Sequence, residues 1–222
     1  MRITKVEMWF IWLMLYGLIC ILARDIFFRI LLIALYWGVL FVVLHKKNKL
    51  KTYGICLPKV SKFSDCMIYI PFLLLIIINL VCNKEEICLN WTALWMGYSA
   101  FGEEFLFRGF LLSNFTSQYK KNILKGSIWT SCLFTGAHVV NMYSGFSLEY
   151  VITQCIYAGT LGFCLAVLVC IKQSVIPTII IHLLINITAK NEIKTEPLLF
   201  SVIGLLYFIY GIWLYSKKGN ER

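Results

Sequence analysis

Glu103, Glu104 and Arg108 fall within six residues of one another, inside an apolar stretch long enough to cross a membrane. The segment reads Phe101-Gly-Glu-Glu-Phe-Leu-Phe-Arg-Gly-Phe110. A charged side chain at membrane depth costs about 2.5–3.5 kcal/mol even on lenient insertion scales, so these groups must pair and face a polar interior. On a helix, positions four apart share a face, which lets Glu104 and Arg108 form an ion pair. Glu103 sits a step around the helix and is left as a free carboxylate for proton transfer. Two of the three histidines also lie in apolar runs. His138 closes Phe134-Thr-Gly-Ala-His138, and His182 opens His182-Leu-Leu-Ile-Asn186, with the carboxamide one turn on. A glutamate and a histidine can polarise a water and take its proton. A second histidine and an asparagine amide can donate to the oxyanion that forms when water attacks a carbonyl. That is the inventory for amide hydrolysis. No Ser or Cys accompanies these groups in a recognisable nucleophile signature.

Three separate helices must bring these groups together. Apolar runs predict membrane spans at about 7–23, 26–45, 65–82, 88–113, 124–143, 150–170, 174–189 and 197–215. In lipid, backbone groups are satisfied within a helix, and no alternating barrel pattern is present. The expectation is an all-α, polytopic membrane protein of about eight helices, a single domain over 1–222, with a polar pocket between helices and a motif-bearing core over about 88–189. With the N-terminus in the cytoplasm, Arg2, Lys5, Lys46, Lys47, Lys49, Lys51, Lys59, Lys62, Lys120, Lys121, Lys125, Lys172, Lys217, Lys218 and Arg222 fall on that side, against Arg24, Arg29, Lys84, Lys190 and Lys194 opposite. Fifteen against five satisfies the positive-inside rule and puts both termini in the cytoplasm. Depth fits less well. With these bounds Glu103 and His182 lie about 12–15 Å from the cytoplasmic ends of their helices and His138 nearer 20 Å.

Composition narrows the class further. At 60% hydrophobic and 14% charged residues, the chain is unlike a soluble domain, which is about a quarter charged. The net charge of +10 reports topology and anionic lipid rather than nucleic acid, for which no signature is present. Nine scattered cysteines read as small buried hydrophobes, with Cys82 and Cys88 placed to bridge one short loop. The N-terminal apolar run lacks a small-residue cleavage site and reads as a first transmembrane helix. His45–Lys62 is the one long basic connection, a cytoplasmic loop at the lipid headgroups or a substrate-docking segment.

Glu103-Glu104-x-x-x-Arg108, Phe134-x-x-x-His138 and His182-x-x-x-Asn186, in that order, resemble the motifs of the CAAX protease and bacteriocin-processing (Abi) family of intramembrane proteases. The resemblance implies an eight-helix endopeptidase whose site opens toward the cytoplasm and the lipid. It implies that Glu103 and His138 activate the water, that His182 and Asn186 stabilise the oxyanion, and that Glu104 and Arg108 organise the site. The family is often classed with metalloproteases, and Glu103, His138 and His182 are chemically suitable zinc ligands. No His-Glu-x-x-His helix is present, however, and the preferred expectation is catalysis without a metal or other cofactor. The expected partners are lipid and a membrane-associated or exported peptide or protein, and the expected location is a bacterial cytoplasmic membrane. Processing of bacteriocins or signal peptides and self-immunity are the roles implied. Two other classes use the same residues: a non-catalytic immunity or interaction protein, and a proton-coupled transporter.

Overall fold

The computed structural model describes residues 26–82, 91–118, 122–188 and 197–219, with Leu15, Leu18 and Ile19 besides. The expected first span, 7–23, and the proposed Cys82–Cys88 bridge lie outside the described residues. Among the described residues the fold is all-helical, with no strand. The chain divides into two compact units, 1–50 and 51–222. The first contains α1 (Ile26–Lys46), an apolar helix whose last turn carries His45 and Lys46.

The second unit contains α2 (Ser64–Met67), α3 (Ile70–Cys82), α4 (Trp91–Glu104), a π-helical segment (Phe105–Leu111), α5 (Leu112–Gln118), α6 (Ile123–His138), α7 (Leu148–Lys172), α8 (Ile176–Thr188) and α9 (Pro197–Gly219). Its centre is α7, which packs against α6 and α9, while α8 packs against α3 and α4. Leu161, Cys164, Leu165 and Leu168 of α7 share one core with Phe72, Ile181, Ile185 and Tyr207. The Phe72 and Tyr207 rings stack at 5.2 Å. Among the described residues, only α7 and α9 are long and apolar enough to cross a membrane by themselves. On α9, Leu198, Val202, Leu205, Leu206, Ile209 and Ile212 are exposed along one apolar face.

Several expected bounds shift, each for a local reason. The span over 65–82 breaks before α3, because Pro71 has no N–H and belongs in the first turn of a helix. The turn between α7 and α8 is set by Gln173, left-handed at φ 56°, and by Ser174, whose Oγ accepts from Ile176 N at 3.2 Å. Pro177 follows in the first turn of α8. The span expected over 88–113 continues to Gln118 through a polar stretch that reads like a loop. It stays helical because Asn114 Nδ2 donates to Phe110 O at 2.8 Å and Thr116 Oγ1 to Leu112 O at 2.8 Å. Conversely, α6 stops at His138 and tightens into a 3₁₀ segment over Val139–Ser144. Glu103 therefore lies fifteen residues before the end of α5, and His138 fifteen residues after the start of α6. On the two arms of one hairpin they come to the same depth.

The basic connection is not a loose loop in its second half. Val175 N donates to Gly54 O at 2.9 Å, Ser174 Oγ to Cys56 O at 2.5 Å, and Lys59 N to Lys172 O at 3.0 Å. Lys172, although counted among the cytoplasmic charges, is 3% exposed and pairs with Asp65 at 2.8 Å. Asp65 Oδ2 also accepts from Ser61 N, Ser61 Oγ and Lys62 N at 2.7, 2.9 and 3.0 Å. The Lys172 ammonium, then these donors, hold the Asp65 carboxyl well below its ordinary 3.8. A depressed carboxylate stabilises fully above its ordinary value and loses that contribution as pH falls through the folded one. The latch is therefore expected to be indifferent to pH above about 5. Lys172→Met is expected to speed amide hydrogen exchange at Ser61 and Lys62 roughly tenfold, the scale of one lost charge-assisted bond. Unchanged exchange in that variant would show that the ion pair does not hold the segment.

Candidate active site

The π-helical segment begins immediately after Glu104, and all seven of its residues are buried. Its turns close through i→i+5 bonds, as from Leu112 N to Phe107 O, a geometry that occurs mostly as a local insertion at functional sites. Gly109 makes it fit, since a β-carbon there would lie 2.8 Å from the Tyr53 carbonyl oxygen. Across this wider turn Glu104 and Arg108 still meet, Oε1 to Nη1 at 3.0 Å. They are 0% and 1% exposed. The Arg108 guanidinium lies 3.9 Å over the Phe134 ring, a cation–π contact in a desolvated setting. Its Nη2 has no hydrogen-bond partner among the described residues.

Glu104 also reaches a second element. Its Oε1 lies 2.9 Å from His182 Nδ1 on α8. α8 buries Thr178, Ile181, His182, Ile185 and Thr188, a stripe at three- and four-residue spacing that turns the imidazole inward. An ionised carboxylate only accepts, so Nδ1 carries the hydrogen and Nε2 is left facing away from Glu104. His182 Nε2 lies 3.9 Å from Glu103 Oε2. Glu103 is not free, as the sequence suggests, because Ser99 Oγ donates to its Oε1 at 2.6 Å.

His138 closes the cluster from α6. Its Nδ1 lies 2.8 Å from Phe134 O, one turn earlier, so it too donates through Nδ1 and keeps Nε2 open. Glu103, His182 and Arg108 are the ionisable groups around it. Phe134 is the shared wall, with its ring 4.6 Å from that of His138 and 6.1 Å from that of His182. The structure thus brings together Glu103, Glu104, Arg108, His138 and His182. Asn186, partly exposed one turn beyond His182, is not part of these hydrogen bonds.

Two contributors were not legible beforehand. Ser99 has no charge and no motif to mark it. Gly162 of α7 stands where a β-carbon would lie 2.6 Å from Arg108 Nη2 and 3.2 Å from Phe134 Cδ1. Gly162→Ala is expected to push the guanidinium off the ring and cost about 1–3 kcal/mol, the usual penalty of overpacking. A melting temperature and turnover equal to wild type in that variant would show that Arg108 has room to move.

Among the described residues, an all-helical architecture with an interior cluster of carboxylates, imidazoles and a guanidinium, and two helices able to cross a membrane, defines the class. A family model described as type II CAAX prenyl endopeptidase Rce1-like matches residues 72–188, more than half of the chain, and the chain belongs to that family. Neither a curated protein nor a solved structure matches it. The family is one of membrane-embedded CAAX-type endopeptidases.

Proposed function

We propose that this chain is an intramembrane endopeptidase that hydrolyses a peptide bond with water activated by Glu103. The observation that carries the reading is the continuous chain of contacts Arg108–Glu104–His182–Glu103, which leaves one carboxylate oxygen and one imidazole nitrogen 3.9 Å apart. That gap is too long for a direct hydrogen bond and suits one water bonded to both. Glu103 takes the proton as the water oxygen attacks the substrate carbonyl carbon. Glu103 hands that proton to His182 Nε2, and the imidazolium so formed delivers it to the amide nitrogen as the carbon–nitrogen bond breaks. Glu104 holds the His182 ring and balances the imidazolium that forms. A neutral imidazole that donates through Nδ1 cannot also donate through Nε2. His138 therefore serves the oxyanion only when protonated, and the Asn186 amide is the neutral donor.

The resemblance assigns the water to Glu103 with His138; the 3.9 Å approach of His182 Nε2 to Glu103 Oε2 supports His182 in that place. No group of three or more His, Cys, Asp or Glu side chains among the described residues is arranged to hold a metal ion. We propose that Glu103, His138 and His182 work without zinc, every step above running through side chains. Activity is accordingly expected to survive prolonged chelation.

The substrate we propose is a membrane-associated or exported peptide, in the cytoplasmic membrane of a bacterium, with eight spans and both termini cytoplasmic. Maturation of a bacteriocin or signal peptide, or self-immunity, is the role this suggests. The test uses protein reconstituted in vesicles with two quenched reporter peptides. One ends in a farnesylated cysteine and three further residues, and the other is an apolar peptide without the prenyl group. Cleavage of the second, unchanged by chelator, supports the reading. Cleavage of the first alone overturns the substrate class, and loss with chelator overturns the metal-free mechanism.

A further inference from the structure

Six hydroxyl side chains in the described helices share one habit. Thr130, Ser131, Thr160, Thr178, Thr188 and Ser201 all donate to a backbone carbonyl three or four residues earlier. That back-bond is the default way to satisfy a hydroxyl away from water. Ser99 departs from it. Its Oγ reaches forward one turn to Glu103 Oε1 at 2.6 Å, the length of a charge-assisted hydroxyl–carboxylate bond.

The consequence lies in which oxygen remains. With Oε1 held by Ser99, Oε2 is the one turned to His182 Nε2. Glu103 is 19% exposed, so packing alone does not fix its carboxylate. Arg108 lies within its electrostatic reach and is a competing partner for a carboxylate that is not held. We propose that Ser99 is a positioning residue for hydrolysis, holding Glu103 so that one defined oxygen meets the attacking water. The proposal rests on Glu103 being the base.

An isosteric pair isolates the hydroxyl. Ser99→Thr and Ser99→Val have the same shape and branch, and only threonine keeps the donor. Both are compared with wild type and Glu103→Gln in vesicles at equal protein levels, on whichever reporter peptide wild type cleaves. Ser99→Thr is expected to stay within a few-fold of wild type. Ser99→Val is expected to lose about 10- to 100-fold in kcat with KM little changed, as for a misplaced catalytic group. Ser99→Ala, smaller and also without a donor, replaces it if the valine variant does not accumulate. Equal rates for the threonine and valine variants, with Glu103→Gln inactive, overturn the role of Ser99 and leave that of Glu103 standing. Full activity of Glu103→Gln overturns both. Inactivity of Ser99→Thr as well, with fluorophosphonate labelling of Ser99 in wild type, overturns positioning in favour of a nucleophilic serine.

Discussion

Glu103→Gln is expected to leave the protein folded in the membrane and to lower kcat by about 10²- to 10⁴-fold, the range of a lost general base. The amide matches the carboxylate in shape, and its oxygen can still accept from Ser99, which reaches Glu103 at 2.6 Å in the native chain. His182 keeps its place through Glu104, at 2.9 Å. What disappears is the ability to take a proton from water. KM is therefore expected to change little, since nothing that binds substrate has been removed. Initial rates of reporter cleavage in vesicles, with melting temperature measured in parallel, check this. A loss of rate matched by a loss of folded protein would assign Glu103 to structure instead.

Arg108→Met is expected to be the most destabilising single change at the site. It leaves Glu104, 0% exposed, as a buried charge that has lost its cation. Breaking a buried pair from one side costs about 3–5 kcal/mol. That is a large part of the 5–15 kcal/mol by which folded chains of ordinary size are stable. Thermal unfolding in detergent and steady-state membrane levels both report it. Combining Arg108→Met with Glu104→Gln removes the stranded charge and is expected to recover most of the stability. Activity is not expected to return, because His182 then has no carboxylate to balance its protonated form. A single Arg108→Met variant that melts with wild type would show that Glu104 does not depend on the guanidinium.

Much of this was legible from residue type and spacing alone. Helices were foreseeable because apolar runs in lipid have no other way to satisfy their backbone. The Glu104–Arg108 pair followed from four-residue spacing, and the convergence of His138 and His182 from the cost of leaving polar groups in hydrocarbon. The unforeseen features depend on neighbours distant in sequence. Nothing in Phe105–Leu111 announces a π-helical turn, nor that Gly109 within it lies against the Tyr53 carbonyl. The polar stretch Ser113–Gln118 reads as a loop until its side chains are seen to bond back to the helix that carries them. That error in one boundary produced the apparent mismatch in depth between Glu103 and His138. The second partner of Glu104 was also hidden, because His182 lies 78 residues away and only the packing of α8 on α4 joins them.

The central claim is that Glu103 activates water to cut a peptide in the membrane. The most direct measurement compares peptide termini, by mass spectrometry, in membranes and medium of cells expressing wild type or Glu103→Gln at equal levels. A new terminus present with wild type, and replaced by an intact precursor with the variant, is the predicted result and identifies the substrate. Identical termini under conditions where the variant loses a wild-type phenotype would contradict hydrolysis and assign the protein to binding.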